Sequence, residues 1–276
     1  MYGINPISPN EERSKTAILL LRIYIIFLFC SVFTEIVASV ALHKNGGDMR
    51  ESLLVVGLVS GIAIIGGIVN LFFMIYFIMW LRRAYHNLHK AGSTALRHGE
   101  GWAAGAWFIP IMGYVWPFQI VRDTWNETQN VFRKRDEFYE REEDNVTGWW
   151  WAFFLVAVFV GFIGSININF KNFEMGYAFT AASHVGYLFS GFMLISVIRK
   201  ITHMENEMMQ RANDYYAWVT QQQAEQYQQQ QNSNPQNLQQ QVNPILPESA
   251  YQPKNNELPN SNEENNSQDN FYKPKE

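Results

Sequence analysis

Four apolar runs, at about residues 17–42, 53–81, 148–168 and 177–198, constrain this chain more than any motif in it. Each is long enough to cross a bilayer, for which ~20 apolar residues suffice. Backbone polar groups in lipid must be satisfied within the segment, so each run is expected to be a helix. The loops joining the first run to the second and the third to the fourth are short, which makes those pairs antiparallel neighbours. Ser39-Val40-Ala41 has the small-x-small form of a signal-peptide cleavage site. The apolar region before it is far longer than an h-region of ~7–15 residues, which argues for a span instead. The fold class read from this pattern is an all-α membrane protein with four transmembrane helices.

Between the second and third runs lies a stretch of a different kind. A basic, helix-permissive segment (Arg82, Arg83, Lys90, Arg97) precedes residues 102–121, which carry no charge at all. That length could span a membrane, but Pro110 and Pro117 each remove a backbone donor, and Gly105 and Gly113 loosen the chain. Trp102, Trp107, Trp116 and nearby Trp125 are the residue type that sits at headgroup level. Residues 102–121 therefore read as a broken re-entrant or interfacial hydrophobic segment, with a fifth span as the rival reading.

The pattern Trp80-x-x-Arg83-Ala84-x-x-Asn87, then Gly92, then Gly101-Trp102-Ala103-x-Gly105-x-Trp107-Phe108-x-Pro110, then Trp116-Pro117 and Arg122, resembles a bacterial membrane family catalogued as domain of unknown function 4328. The likeness covers most of residues 17–200. It implies a bacterial multi-pass membrane protein and brings no established activity with it. The Gln-rich C-terminal stretch falls outside the resemblance.

Residues 1–16 read as a short N-terminal tail, 17–220 as the membrane domain, and 221–276 as a disordered Gln/Asn-rich tail, too polar to bury enough surface to offset chain entropy. Residues 123–145, dense in alternating charge, read as a solvated helix. Nine Lys and Arg residues lie between the second and third runs, against Lys44, Arg50 and Lys171 in the other two loops. The positive-inside rule then places both termini and the central stretch in the cytoplasm, with the chain in a bacterial inner membrane. A formal net charge of -4 gives no footing for nucleic acid, and the basic cluster is better matched to anionic lipid headgroups. The single Cys30 permits no intrachain disulfide and no cysteine metal cluster.

Candidate site residues fall into two groups. Arg83 and Asn87 share a helical face near Lys90, beneath a roof formed by Trp102, Trp107, Pro110, Trp116 and Pro117. Their donors are expected either to satisfy carbonyls freed by the prolines or to hold a small anion. Glu35, Ser60 and His184 stand at equal depth below the opposite membrane surface, at ~1.5 Å of rise per residue, and could form one polar cluster. His86 and His89 have a spacing that two metal ligands can use, but no HExxH-type motif accompanies them, and neither a metal nor a cofactor is expected. Arg22 reads as a snorkelling side chain. Gly57 and Gly61 suggest a close helix contact, as does the four-residue repeat Ala178, Ala182, Gly186, Ser190.

No Walker-type loop or nucleophile elbow occurs. The expected function is a non-enzymatic membrane module that organises partners or senses the membrane, with the bilayer and a protein bound through the C-terminal tail as partners. The alternatives are a small transporter or channel component, its path lined by Asn70, Glu35 and the 102–121 segment, and an intramembrane enzyme.

Overall fold

The computed structural model describes residues 7–44, 53–133 and 143–233. The chain divides into two compact units, Met1–Gln223 and Ala224–Glu276, and everything below concerns the first unless stated. The described residues form helices α1 (Glu11–Lys44), α2 (Leu53–Lys90), α3 (Trp102–Gly105), α4 (Trp116–Arg133), α5 (Val146–Asn169) and α6 (Phe173–Ser233), with two single turns of 3-10 helix at Ala106–Phe108 and Met112–Tyr114. Four of them, α1, α2, α5 and α6, are long and apolar enough to cross a membrane. Their outward faces carry large apolar side chains such as Phe33, Leu54, Phe159 and Phe162, the arrangement that lipid rather than water favours. This is an all-α membrane protein.

The four long helices alternate in direction. Ser39 and His43, late in α1, bond to Glu174 at the start of α6, which fixes one end of the bundle. At the other end, hereafter the basic end, the start of α1 and the end of α2 meet α6 well past its middle, where Trp80 Nε1 donates to Thr202 Oγ1 at 3.0 Å. The apolar run of α6 stops at Ile198 and is followed by Arg199 and Lys200, so the helix continues out of the apolar layer. The largest fully buried side chains, Trp80, Tyr85, Trp125, Ile198 and Ile201 among them, gather at this end. The core thus sits where helices leave the lipid and the hydrophobic effect can act.

Residues 102–121 are broken, and the breaks have local causes. Ile109 is extended (φ −102°, ψ 117°) because Pro110 excludes the helical region for the residue before it. Gly113 N–H then closes a turn to the Ile109 carbonyl at 2.7 Å. Pro117 falls in the first turn of α4, where a missing N–H costs nothing. Phe108 and Ile111, at the tip between the two 3-10 turns, are 78% and 83% exposed, which suits an element that dips its apolar tip into a bilayer. α2 ends in a Schellman arrangement: Gly92 (φ 76°) lets its own N–H reach the His89 carbonyl and that of Ser93 reach the Leu88 carbonyl.

The structure departs from the sequence reading at several helices. α6 runs to Ser233 instead of ending near Thr220, because Gln, Glu and Ala are good helix formers even without a packing face. Residues 234–276, where most of the expected disordered tail falls, lie outside the described residues, as do residues 134–142 of the expected charged helix. The N-terminal stretch is not simply a polar tail, since Ile7, Asn10 and Ser14 are buried. Gly57 and Gly61 meet no side chain within 4 Å. Of the four-residue repeat on α6, Ala178 and Ala182 are exposed, and only Gly186 and Ser190 face the bundle. The reason is geometric: steps of four residues drift ~40° each on a helix of 3.6 residues per turn. The close contact of α5 with α6 runs instead through Gly161, Gly164, Gly176, Ser183 and Gly186.

Candidate functional site

The basic end is built from the last turns of α2. Asn87 is fully buried there, and its side-chain amide pairs with the backbone of Ser8 in both directions: Ser8 N–H donates to Oδ1 (3.1 Å) and Nδ2 donates to the Ser8 carbonyl (2.9 Å). The same Nδ2 donates to Oε1 of Glu205, a carboxylate only 4% exposed. Asn10 completes the cluster, with Nδ2 donating to Glu205 Oε2 at 2.9 Å and to the Trp80 carbonyl at 3.1 Å. Three segments remote in sequence are thereby tied together around one acid. Burial pushes the Glu205 carboxyl up to about 7, against the Asn10 and Asn87 donors and the charges of Arg83 and Arg13, which favour its ionised form.

Asn87 therefore holds the N-terminal segment and α6, not the 102–121 segment expected for it. The carbonyls that Pro117 was expected to free do not arise at a helix start. Arg83, one turn earlier, points elsewhere. It lines an open pocket of about 340 Å³ with Arg13, Met79, Arg82, His86 and Glu100. Among the described residues Glu100 is the only acid in that lining. His86 Nδ1 stands 2.7 Å from Glu100 Oε2 and Arg82 Nε 4.0 Å from Oε1, and the His86 contact holds the Glu100 carboxyl below its ordinary value. Arg13 and Arg83 are left to give the pocket its charge.

The aromatic segment is held by other groups. Arg97 grips the nearly buried carboxylate of Asp123 on α4 through Nε (3.0 Å to Oδ1) and Nη2 (2.6 Å). Tyr85 Oη donates to the His98 carbonyl, Ser93 Oγ to Glu127, and Trp151 Nε1 to the Tyr114 carbonyl. Trp102 meets Trp116 edge to face at 4.5 Å, and Trp107 meets Phe77 the same way at 5.5 Å. Pro110 is exposed and Pro117 buried. The histidines diverge: His98 bonds Gln119 Oε1 at 2.9 Å while His89 packs on Tyr85.

A second cavity, of about 320 Å³, lies among all four long helices and Trp107. Asn70 reaches it, so the transporter reading's Asn70 and the broken segment do share a space, but Glu35 does not. Glu35 is instead paired across α1 and α6 with His184, Nδ1 to Oε2 at 2.8 Å. Ser60 is absent from that pair, being exposed on α2 with its hydroxyl bonded back to the Val56 carbonyl. Acid and histidine meet without the expected nucleophile.

Glu205 had not been singled out from sequence. The signal was present: Ile198, Ile201, Glu205 and Met208 recur at helical spacing, which sets an acid on a buried apolar stripe.

These features define a four-helix integral membrane protein with a broken aromatic segment packed on its basic end. The chain belongs to the family described as Domain of unknown function (DUF4328), whose model matches residues 43–203, more than half of its length. No curated protein and no solved structure matches it.

Proposed function

We propose that this protein is a non-enzymatic membrane module that senses anionic lipid headgroups at the cytoplasmic face of its membrane. The observation that carries this reading is the open pocket lined by Arg13, Arg82 and Arg83, with one acid that His86 already engages. Arginine forks bind phosphate oxygens in bidentate fashion, and a headgroup phosphate at the end of a span is within reach of such a pocket. The basic residues at this end support a cytoplasmic orientation for it under the positive-inside rule. Arg22 and Arg199, which line a separate groove, add further positive charge to the protein. A protein partner bound through residues beyond Ser233 would receive the lipid signal. The catalytic alternative loses support because the exposed Ser60 hydroxyl bonds back to Val56 in its own helix while Glu35 and His184 pair with each other.

The test is thermal unfolding in nanodiscs of phosphatidylcholine alone or mixed with phosphatidylglycerol. Anionic lipid should raise the melting temperature of the wild type, and Arg13→Gln with Arg83→Gln should abolish the rise. Equal melting in the two lipids would overturn the reading.

A further inference from the structure

The central cavity is walled by an unusual density of rings. Phe77 meets Trp107 edge on (84°) and Trp150 at 67°, and Trp151 stacks on Phe154 at 4.8 Å. Tyr24 and Tyr187 close it from α1 and α6. Asn70, Tyr24, Tyr187 and Ser190 also line this aromatic box, and the amide of the first and the hydroxyls of the other three have no hydrogen-bond partner among the described residues. Among the described residues, no charged side chain lines it.

We infer that this cavity is a binding site for a neutral, membrane-soluble ring compound bearing carbonyl groups, a molecule of the quinone class. The ring walls favour a flat conjugated body, because aromatic pairs gain from edge-to-face and offset contact beyond the area they bury. Among the described residues no carboxylate neutralises a cation here, which would rest on ring faces alone and leave the amide and hydroxyl donors unused, and no Lys or Arg pairs an anion. A plain acyl chain fits the apolar walls but leaves Asn70 and the three hydroxyls without partners, whereas ring carbonyls accept from them. Pockets of this size, mostly apolar with a few convergent polar groups, are the usual form of a small-molecule site. A ligand dissolved in the bilayer arrives at this depth without crossing water. The inference stands apart from headgroup sensing, since no residue of the arginine pocket lines this cavity.

The experiment titrates the full-length protein in nanodiscs with menadione, a naphthoquinone, and with 2-methylnaphthalene, the same ring system without carbonyls. Tryptophan fluorescence reports binding, because Trp107, Trp150 and Trp151 stand in the wall. Menadione should quench saturably and raise the melting temperature, and 2-methylnaphthalene should bind at least tenfold more weakly. Asn70→Leu should weaken menadione about tenfold and leave 2-methylnaphthalene unchanged, while Arg83→Gln should affect neither. Quenching that rises linearly without saturation, or equal affinity for the two probes, would overturn the inference. Should Asn70→Leu fail to fold, the wild-type comparison of the two probes still decides.

Discussion

Glu205 illustrates what one residue does at the basic end. Its carboxylate gathers donors from Asn10 and Asn87, so a truncation leaves several buried polar groups unpaired at once. Asn87→Ala strips the partner from the Ser8 amide, the Ser8 carbonyl and one Glu205 oxygen together, and should destabilise the fold by about 3 kcal/mol. His86→Ala, on the partly exposed side of the same helix, should cost under about 1 kcal/mol, as surface ion pairs do. Equal denaturation midpoints for the two variants would refute the clamp. Titration gives an independent prediction. A carboxyl held at about 7 in the folded state binds its proton more tightly than in the unfolded chain. Its stabilising contribution is complete below the ordinary carboxylate range and lost as pH rises through about 7. Wild-type stability should fall between about pH 4.5 and about pH 7, and Glu205→Gln should flatten that fall.

At the scale of elements, the apolar runs were legible because a span announces itself by length and absence of charge, and the break in residues 102–121 because proline and glycine act locally. The pairing at the basic end was not. Asn87 and Arg83 are four apart and read as one face, yet one is sealed under Ser8 and the other lines an open pocket, since ~40° of rotation separates buried from open at a helix edge. The same drift misled the reading of the α6 repeat. It yields a contrast between neighbouring positions. A Cβ at Gly176 would stand 2.4 Å from Ile168 Cγ1 and 3.2 Å from the Ile168 backbone nitrogen, so Gly176→Ala should force α5 and α6 apart and destabilise the protein by about 1–3 kcal/mol. Ala182→Leu, on the exposed face of the same helix, should stay within about 0.5 kcal/mol. Both are measurable by unfolding in mixed micelles.

For the whole molecule, two polar devices pin opposite ends of one bundle. The Asn10–Asn87–Glu205 cluster ties α6 to the N-terminal segment and α2 at the basic end, and the Glu35–His184 pair ties it to α1 towards the other. Equal depth in sequence was enough to suggest the second pair, because both groups needed a partner in an apolar layer. It could not exclude Ser60, because depth says nothing about which way a helix faces. If the pair is a clamp, Glu35→Gln and His184→Gln should each destabilise the protein, and the double variant should cost clearly less than their sum. Strict additivity would show that the contact carries no coupling. The positive-inside rule predicts the direction in which the clamped bundle is inserted, and thiol labelling in intact cells tests it. In a Cys30→Ser background, cysteines at Ser93 and Asn145 should both resist a membrane-impermeant reagent while one at Gly47 reacts. The two protected positions flank the broken segment, which spans nothing if both stay inside. Labelling at Ser93 alone would make residues 102–121 a fifth span and put the arginine pocket on the outer face, where the proposed cytoplasmic headgroup contact fails.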